Sequence, residues 1–374
     1  MIKRIVDIQR EIKKGKVLII YGSRQVGKTT LINDYLSGTR LRYRLVSGDD
    51  IQTAIELSEC TMTSTINFVG DYELIVIDEA QKIQNIGLAL KLMVDNFPEK
   101  YYIATGSSSF DLASKTAESL TGRKNVVELF TISQQELLNK SSRSELKQRL
   151  ESYLIYGSFP EVINQDSYQD KEKVIKQIAN SYLLRDVLEF EGIKNLKVIF
   201  NILKMVALQV GSEVSTVEIA TSVGIDYKTV MKYLDLLEKS FVIFSLSGFS
   251  RNLRKEVSKM SKYYFYDIGI RNALISNFNK LSDRNDVGQL WENFLIIERL
   301  KKNNYTNLST NYYFWRTYDQ KEIDLVEENG GKLFGFELKW QDRKTKPPKL
   351  WLETYENAEY KEINTGNYLD FVTS

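Results

Sequence analysis

The stretch Gly22-Ser23-Arg24-Gln25-Val26-Gly27-Lys28-Thr29 follows the apolar run Val17-Leu18-Ile19-Ile20-Tyr21 and matches G-x-x-x-x-G-K-[ST]. That pattern forms a phosphate cradle where a buried strand hands over to a helix. Glycines at 22 and 27 let successive backbone N–H groups turn inward, Lys28 reaches the β and γ oxygens, and the Thr29 hydroxyl holds magnesium. The whole segment Gly22 to Thr30, with Ser23, Arg24, Gln25, Val26 and Thr30 included, is expected to bind the nucleotide.

A second group is Leu74-Ile75-Val76-Ile77-Asp78-Glu79, a buried strand that ends in two carboxylates. Ligands of open α/β sheets sit at that edge. Asp78 is placed to hold the magnesium shell, and Glu79 to orient and deprotonate the attacking water. The same pair could merely cap the following helix. Thr105-Gly106-Ser107-Ser108-Ser109 closes another apolar run. Ser107 is the candidate sensor of the γ-phosphate, with helix capping as the plainer role. Arg123, in Leu120-Thr121-Gly122-Arg123, can stabilise transition-state charge in a neighbouring subunit, an effect on the order of 10³ to 10⁵ in rate for arginine fingers. Whether it acts in cis or in trans stays open at this point.

The last group lies near the C-terminus. Gly330-Gly331 is a hairpin signal between the alternating runs Glu322-Ile323-Asp324-Leu325 and Phe336-Glu337-Leu338-Lys339. A two-residue turn sets Asp324 opposite Glu337 and Glu322 opposite Lys339, with all four on one face. Directly opposed Cβ atoms lie about 4.5 to 5.5 Å apart, close enough for Asp324 and Glu337 to share a divalent ion. Lys339 can then polarise a water or stabilise a pentavalent phosphate, and Glu292, on the helix expected from Gly288 to Lys302, is a possible third carboxylate with Glu298 as its competitor. This is the D…E-x-K logic of PD-(D/E)XK nucleases. The plainer reading is a solvated face with a Glu322–Lys339 pair.

The elements that must position these groups follow from periodicity. β-rich runs at Lys16 to Tyr21, Leu41 to Ser47, Glu73 to Asp78, Tyr101 to Thr105 and Val126 to Leu129 alternate with helical stretches, the signature of a parallel α/β sheet. Met1 to Lys16 carries Ile5, Ile8 and Ile12 at helical spacing and is expected to form a leading helix. From Thr131 to Glu191 the pattern is helical, interrupted at Tyr156-Gly157-Ser158-Phe159-Pro160, as in a helical lid. Ser215-Thr216-Val217-Glu218 opens a short helix that breaks at Gly224, and a second helix runs from Asp226 to about Lys239, which is helix-turn-helix spacing. Lys228 and Lys232 project from its polar face. A following loop carries Arg251, Arg254 and Lys255, and a basic wing of this kind lies along phosphates. Protein–protein packing is the competing use of such a module.

Composition narrows the chemistry. The 374 residues include no histidine, which removes histidine triads and histidine metal sites. The sole cysteine, Cys60, cannot form an internal disulfide and suits a reducing compartment. No apolar run approaches the roughly 18 residues of a membrane span, and no signal peptide is evident. A cytoplasmic protein is expected. The net charge of +2 means that nucleic-acid binding must come from local patches.

The cradle, Val76-Ile77-Asp78-Glu79-Ala80-Gln81, Thr105-Gly106-Ser107-Ser108, Leu120-Thr121-Gly122-Arg123 and Tyr156-Gly157-Ser158-Phe159-Pro160-Glu161 resemble the prokaryotic AAA+ superfamily ATPases that carry a C-terminal domain of unknown function. Tyr263-Tyr264-Phe265-Tyr266-Asp267-Ile268-Gly269-Ile270-Arg271 and Glu322-Ile323-Asp324 fit the same family, so the resemblance spans nearly the whole chain; Ser158 stands where a second glycine is expected. It implies an α/β fold class: a P-loop AAA+ parallel sheet at 1–135 with a helical lid at 136–192, followed by a winged helix at 193–271 and a PD-(D/E)XK nuclease-like α/β domain at 280–374. ATP and Mg2+ are the cofactors expected, double-stranded or branched DNA the partner, and a homo-oligomer formed through AAA+ contacts the assembly.

Overall fold

Short runs of β-branched residues with long helical connections have one economical arrangement, a parallel sheet covered on both faces. A computed structural model of the protein describes residues 2–107, 120–188, 196–249, 261–317, 320–341, 346–355 and 357–374, with the main chain alone at 182–188. The chain divides into two compact units, one of 4–130 with 239–241, the other of the remainder.

In the first unit β1 (Val17–Tyr21), β2 (Tyr43–Ser47), β3 (Leu74–Asp78), β4 (Tyr101–Gly106) and β5 (Lys124–Glu128) form one sheet. All pairings are parallel, in the order β2-β3-β4-β1-β5. β1 and β3 are buried over their first four residues, which is why they read as continuous apolar runs. Val17, Ile19, Ile75, Ile77, Leu90 and Met93 belong to the core that holds the sheet to its helices. The order matters for chemistry because β4 lies between β1 and β3. Tyr21 is level with Gly106 and Ile77 with Ala104, so the cradle, Ser107 and Asp78-Glu79 emerge at one edge.

The leading helix expected over Met1 to Lys16 is not formed. Only Ile8–Glu11 is helical, opened by Asp7, whose carboxylate accepts the Gln9 N–H at 3.0 Å. Val6, Ile8 and Ile12 are buried, so the apolar pattern was a docking pattern and not a helical one.

In the second unit the 131–188 region is helical. Gly157 ends the Leu150–Tyr156 helix at φ +76°, and Pro160 opens the next at its first position. Ser215 caps Thr216–Val223, which stops at a left-handed Gly224 before Tyr227–Lys239 begins. The strands β6 (Glu213–Val214), β7 (Ile243–Gly248), β8 (Ser261–Phe265), β9 (Asn311–Arg316), β10 (Glu322–Asn329), β11 (Lys332–Leu338) and β12 (Glu359–Ile363) make one sheet ordered β12-β11-β10-β9-β7-β8-β6. The strands that follow the helix-turn-helix segment and those of the C-terminal region are therefore continuous, through the β7–β9 pairing of Ser247 with Tyr313 and Gly248 with Phe314. Among the described residues no helix is long and apolar enough to cross a membrane.

Candidate functional site

The nucleotide site grows from the handover of β1 to the helix Lys28–Gly38. Gly22 and Gly27 sit at φ +151° and +98°, and the turn is drawn so close to β5 that a side chain at 22 would meet the Leu129 carbonyl oxygen at 2.0 Å. Lys28 is buried, its Nζ donating to the carbonyls of Gly22 at 2.8 Å and Ser23 at 2.9 Å. The ammonium is thus held at the centre of the loop, where phosphate oxygens would be received. The Thr29 hydroxyl donates to Asp78 Oδ2 at 2.8 Å, and the Thr105 hydroxyl donates to Asp78 Oδ1. A hydroxyl and a carboxylate in contact at the mouth of a phosphate cradle are a donor set suited to hydrated magnesium.

Glu79 follows in a left-handed conformation, φ +50° and ψ 37°. Its N–H donates to Asp78 Oδ1 at 3.1 Å and Thr105 Oγ1 at 3.2 Å. Its Oε2 accepts from Gln81 Nε2 at 2.7 Å, and the same nitrogen donates to Ser107 Oγ at 3.0 Å. The sequence pointed to Glu79 and Ser107 separately. Gln81, which joins them, was quoted only within the resemblance, although its place two residues after Glu79 was a visible signal.

Arg4 carried no sequence signal, because its partners lie 22 and 126 residues away. Its guanidinium donates to the Val26 and Phe130 carbonyls, both at 2.6 Å. A trans peptide points its C=O and N–H in opposite directions. Holding the Val26 carbonyl therefore turns the Gly27 N–H the other way.

Arg123 precedes β5, and its carbonyl accepts the Val17 N–H at 2.9 Å, so it stands at the strand edge opposite the cradle. A five-residue strand separates the two edges by roughly 16 Å. Its side chain pairs with Asp95 at the surface.

The C-terminal hairpin pairs Leu325 with Phe336 and Asn329 with Lys332, the register that Gly330-Gly331 dictates. At Asp324 the side chain takes over from the ladder, its Oδ2 accepting the Leu338 N–H at 2.8 Å, next to a register shift between β10 and β9. Lys339 Nζ lies 2.6 Å from Glu337 Oε1 and 3.8 Å from Asp324 Oδ2. Glu292, on the helix Val287–Tyr305, accepts from the Tyr264 hydroxyl at 2.5 Å and lies 3.4 Å from Lys262 Nζ. Lys262 also pairs with Glu322, so in place of the Glu322–Lys339 pair of the plainer reading Glu322 stands with Lys262 and Arg316. Glu298 points elsewhere, to Lys301 and the Gln134 N–H. Lys262 and Tyr264 lie on one face of β8 by simple alternation, a signal available in the sequence but without a stated partner.

Burial dominates the electrostatics of this cluster. Glu292 and Glu337 are both pushed up to about 7 by burial and then by the charge of Asp324. Asp324 is raised by burial, opposed by Lys339. For Lys262, burial is outweighed by Glu292 and Glu322, and its ammonium is held above the ordinary lysine value. Among the described residues no three carboxylate, cysteine or histidine side chains are already arranged to hold a metal ion, and Lys262 and Lys339 pair with carboxylates of the cluster. On Tyr227–Lys239, Val230, Leu234 and Leu237 are buried while Lys228 and Lys232 are exposed. Arg251, Arg254 and Lys255, like Ser108 and Ser109, lie outside the described residues.

Residues 14–138 match an AAA domain, 147–281 a domain of unknown function (DUF8612) and 287–367 a domain of unknown function (DUF4143). An uncharacterized protein of Mycobacterium tuberculosis is 28% identical over 337 residues, covering 89% of this chain and 72% of that relative. One of Haemophilus influenzae is 26% identical over 343 residues, covering 85% and 80%. Among solved structures, a Walker-type ATPase of Pyrococcus abyssi is similar at 14% identity and a TM-score of 0.47, over 69% of this chain and 91% of that one. With the cradle, Asp78 and Glu79 on one sheet edge and an AAA domain matched over the same residues, this chain is an AAA-type P-loop ATPase that carries a C-terminal DUF4143 domain.

Proposed function

We propose that the protein hydrolyses ATP with magnesium to act on duplex or branched DNA, through a winged helix and a PD-(D/E)XK nuclease-like C-terminal domain. In the first unit Thr29 and Asp78 hold the hydrated magnesium and Lys28 the β and γ oxygens. Glu79 takes a proton from water as its oxygen attacks the γ-phosphorus and the bond to ADP breaks. Ser107 senses the γ-phosphate. The position of Arg123, away from its own cradle, fits action on a neighbouring copy in a homo-oligomer.

The observation that carries the nucleic-acid reading is the grouping of Asp324, Glu337 and Lys339 at the hairpin, with Glu292 linked to Glu322 through Lys262. Two carboxylates and a lysine at this spacing suit a divalent ion and a phosphodiester. Exposed Lys228 and Lys232, with Arg251, Arg254 and Lys255, would follow the phosphates. Asp324→Ala and Glu337→Ala are expected to abolish cleavage of a nicked or branched duplex in magnesium or manganese while ATP turnover persists. A wild-type protein that cuts no substrate under these conditions counts against the nuclease role. Because Glu292 and Glu337 are raised to about 7, affinity for manganese should climb as pH rises from 6 to 8, read by titration calorimetry on wild type and on Asp324→Ala.

One observation favours a second reading. Lys262 and Lys339 already neutralise carboxylates of the cluster, as a retained but inactive domain would. ATP state would then switch a protein–protein contact. Stimulation of ATP turnover by DNA supports the first reading; nucleotide-dependent assembly indifferent to DNA supports the second.

A further inference from the structure

Glu79 is fixed through its main chain on several sides. Its N–H is taken by Asp78 and Thr105, and its carbonyl packs so closely that a side chain at Gly48 would come within 2.4 Å of that oxygen. The carboxylate is a separate matter, since a glutamate side chain retains rotamer freedom even on a fixed backbone. The described contact that orders it is Gln81, on the turn Ala80–Lys82 and only 3% exposed. Gln81 Nε2 carries two hydrogens and uses them in two directions, toward Glu79 Oε2 at 2.7 Å and Ser107 Oγ at 3.0 Å. Because the Ser107 hydroxyl accepts from Gln81, its own proton is left to donate, and a phosphate oxygen at the sheet edge is a fitting acceptor. Carboxylate, amide and hydroxyl thus form one chain from the end of β3 to the end of β4.

We infer that Gln81 is a positioning residue for ATP hydrolysis, which aims the Glu79 carboxylate and couples it to Ser107. The inference rests on Glu79 being the base. It differs from a restraint, in which Gln81 would hold Glu79 away from water, and from a packing role.

Gln81→Met keeps the side-chain volume and removes both donors. In the 374-residue protein kcat is expected to fall by about 10-fold to 100-fold, the cost of a misplaced catalytic group. Affinity for a non-hydrolysable ATP analogue and the melting temperature should stay near wild type. Placed on Glu79→Gln, the same change should cost nothing further, because Gln81 acts through Glu79. Wild-type or faster turnover by Gln81→Met overturns the inference, as does a full additional loss on Glu79→Gln or a loss of ATP affinity that matches the loss of kcat. If Gln81→Met does not fold, Gln81→Asn keeps the amide but falls short of spanning both oxygens. It must show the same selective loss of kcat, and unchanged turnover is refutation. Normal hydrolysis by Glu79→Gln itself would sink the assignment of the base, a result independent of any Gln81 variant.

Discussion

Glu79→Gln is expected to leave ATP bound and almost unhydrolysed, with kcat reduced by roughly 10² to 10⁴, the usual worth of a positioned general base. The amide cannot take the proton, yet its carbonyl oxygen can still accept from Gln81 Nε2, so the local geometry survives while the chemistry is lost. Asp78, Thr29 and Lys28 are untouched, and the nucleotide should remain held. Single-turnover hydrolysis beside equilibrium binding of ATP separates the two effects. Lys28→Ala gives the opposite pattern, because the charge at the centre of the cradle is removed and binding itself should fail. Turnover near wild type in Glu79→Gln would place the base elsewhere.

Gly157→Ala is expected to destabilise its unit by about 4 kcal/mol or more, at the upper end of single substitutions. Gly157 holds φ +76° and ψ −160°, a region essentially closed to other residues. A side chain there would also meet Asp267 Oδ1 at 1.8 Å. Asp267 cannot move aside, since its carboxylate accepts the Ser158 N–H at 2.8 Å and the Gly269 N–H at 2.9 Å. Gly269 in turn lies against the Tyr156 carbonyl, where a side chain would come within 2.2 Å of the oxygen. The Tyr156–Pro160 segment and the start of the Ile268–Leu274 helix, capped by Asp267, therefore interlock as one buried joint. Thermal unfolding of the purified variant, or its failure to accumulate as folded protein, reads the effect. A melting temperature within a few degrees of wild type would show that the joint can open cheaply.

The parallel sheet was legible because its inner strands β1, β3 and β4 are buried on both faces and so appear as apolar runs between helical stretches. The hairpin register was legible because a two-residue turn leaves no freedom in pairing. Local signals failed where partners are remote. The spacing of Ile5, Ile8 and Ile12 is shared by a helix and by a largely non-helical segment that docks apolar side chains, and only tertiary burial decides between them. Arg4 illustrates the same limit, since no periodicity connects residue 4 to carbonyls at 26 and 130.

By itself the sequence determined the phosphate cradle, the two carboxylates at the end of β3 and the pairing of the C-terminal hairpin, because each depends on neighbours in the chain or on a single tight turn. The tertiary structure alone decided three further points. Gln81 ties Glu79 to Ser107, Arg123 stands at the edge opposite its own cradle, and Lys262 neutralises carboxylates from two other elements. The physical reason is strand order. Placing β4 between β1 and β3 and joining β7 to β9 brings together groups separated by tens of residues, and no local propensity encodes that adjacency.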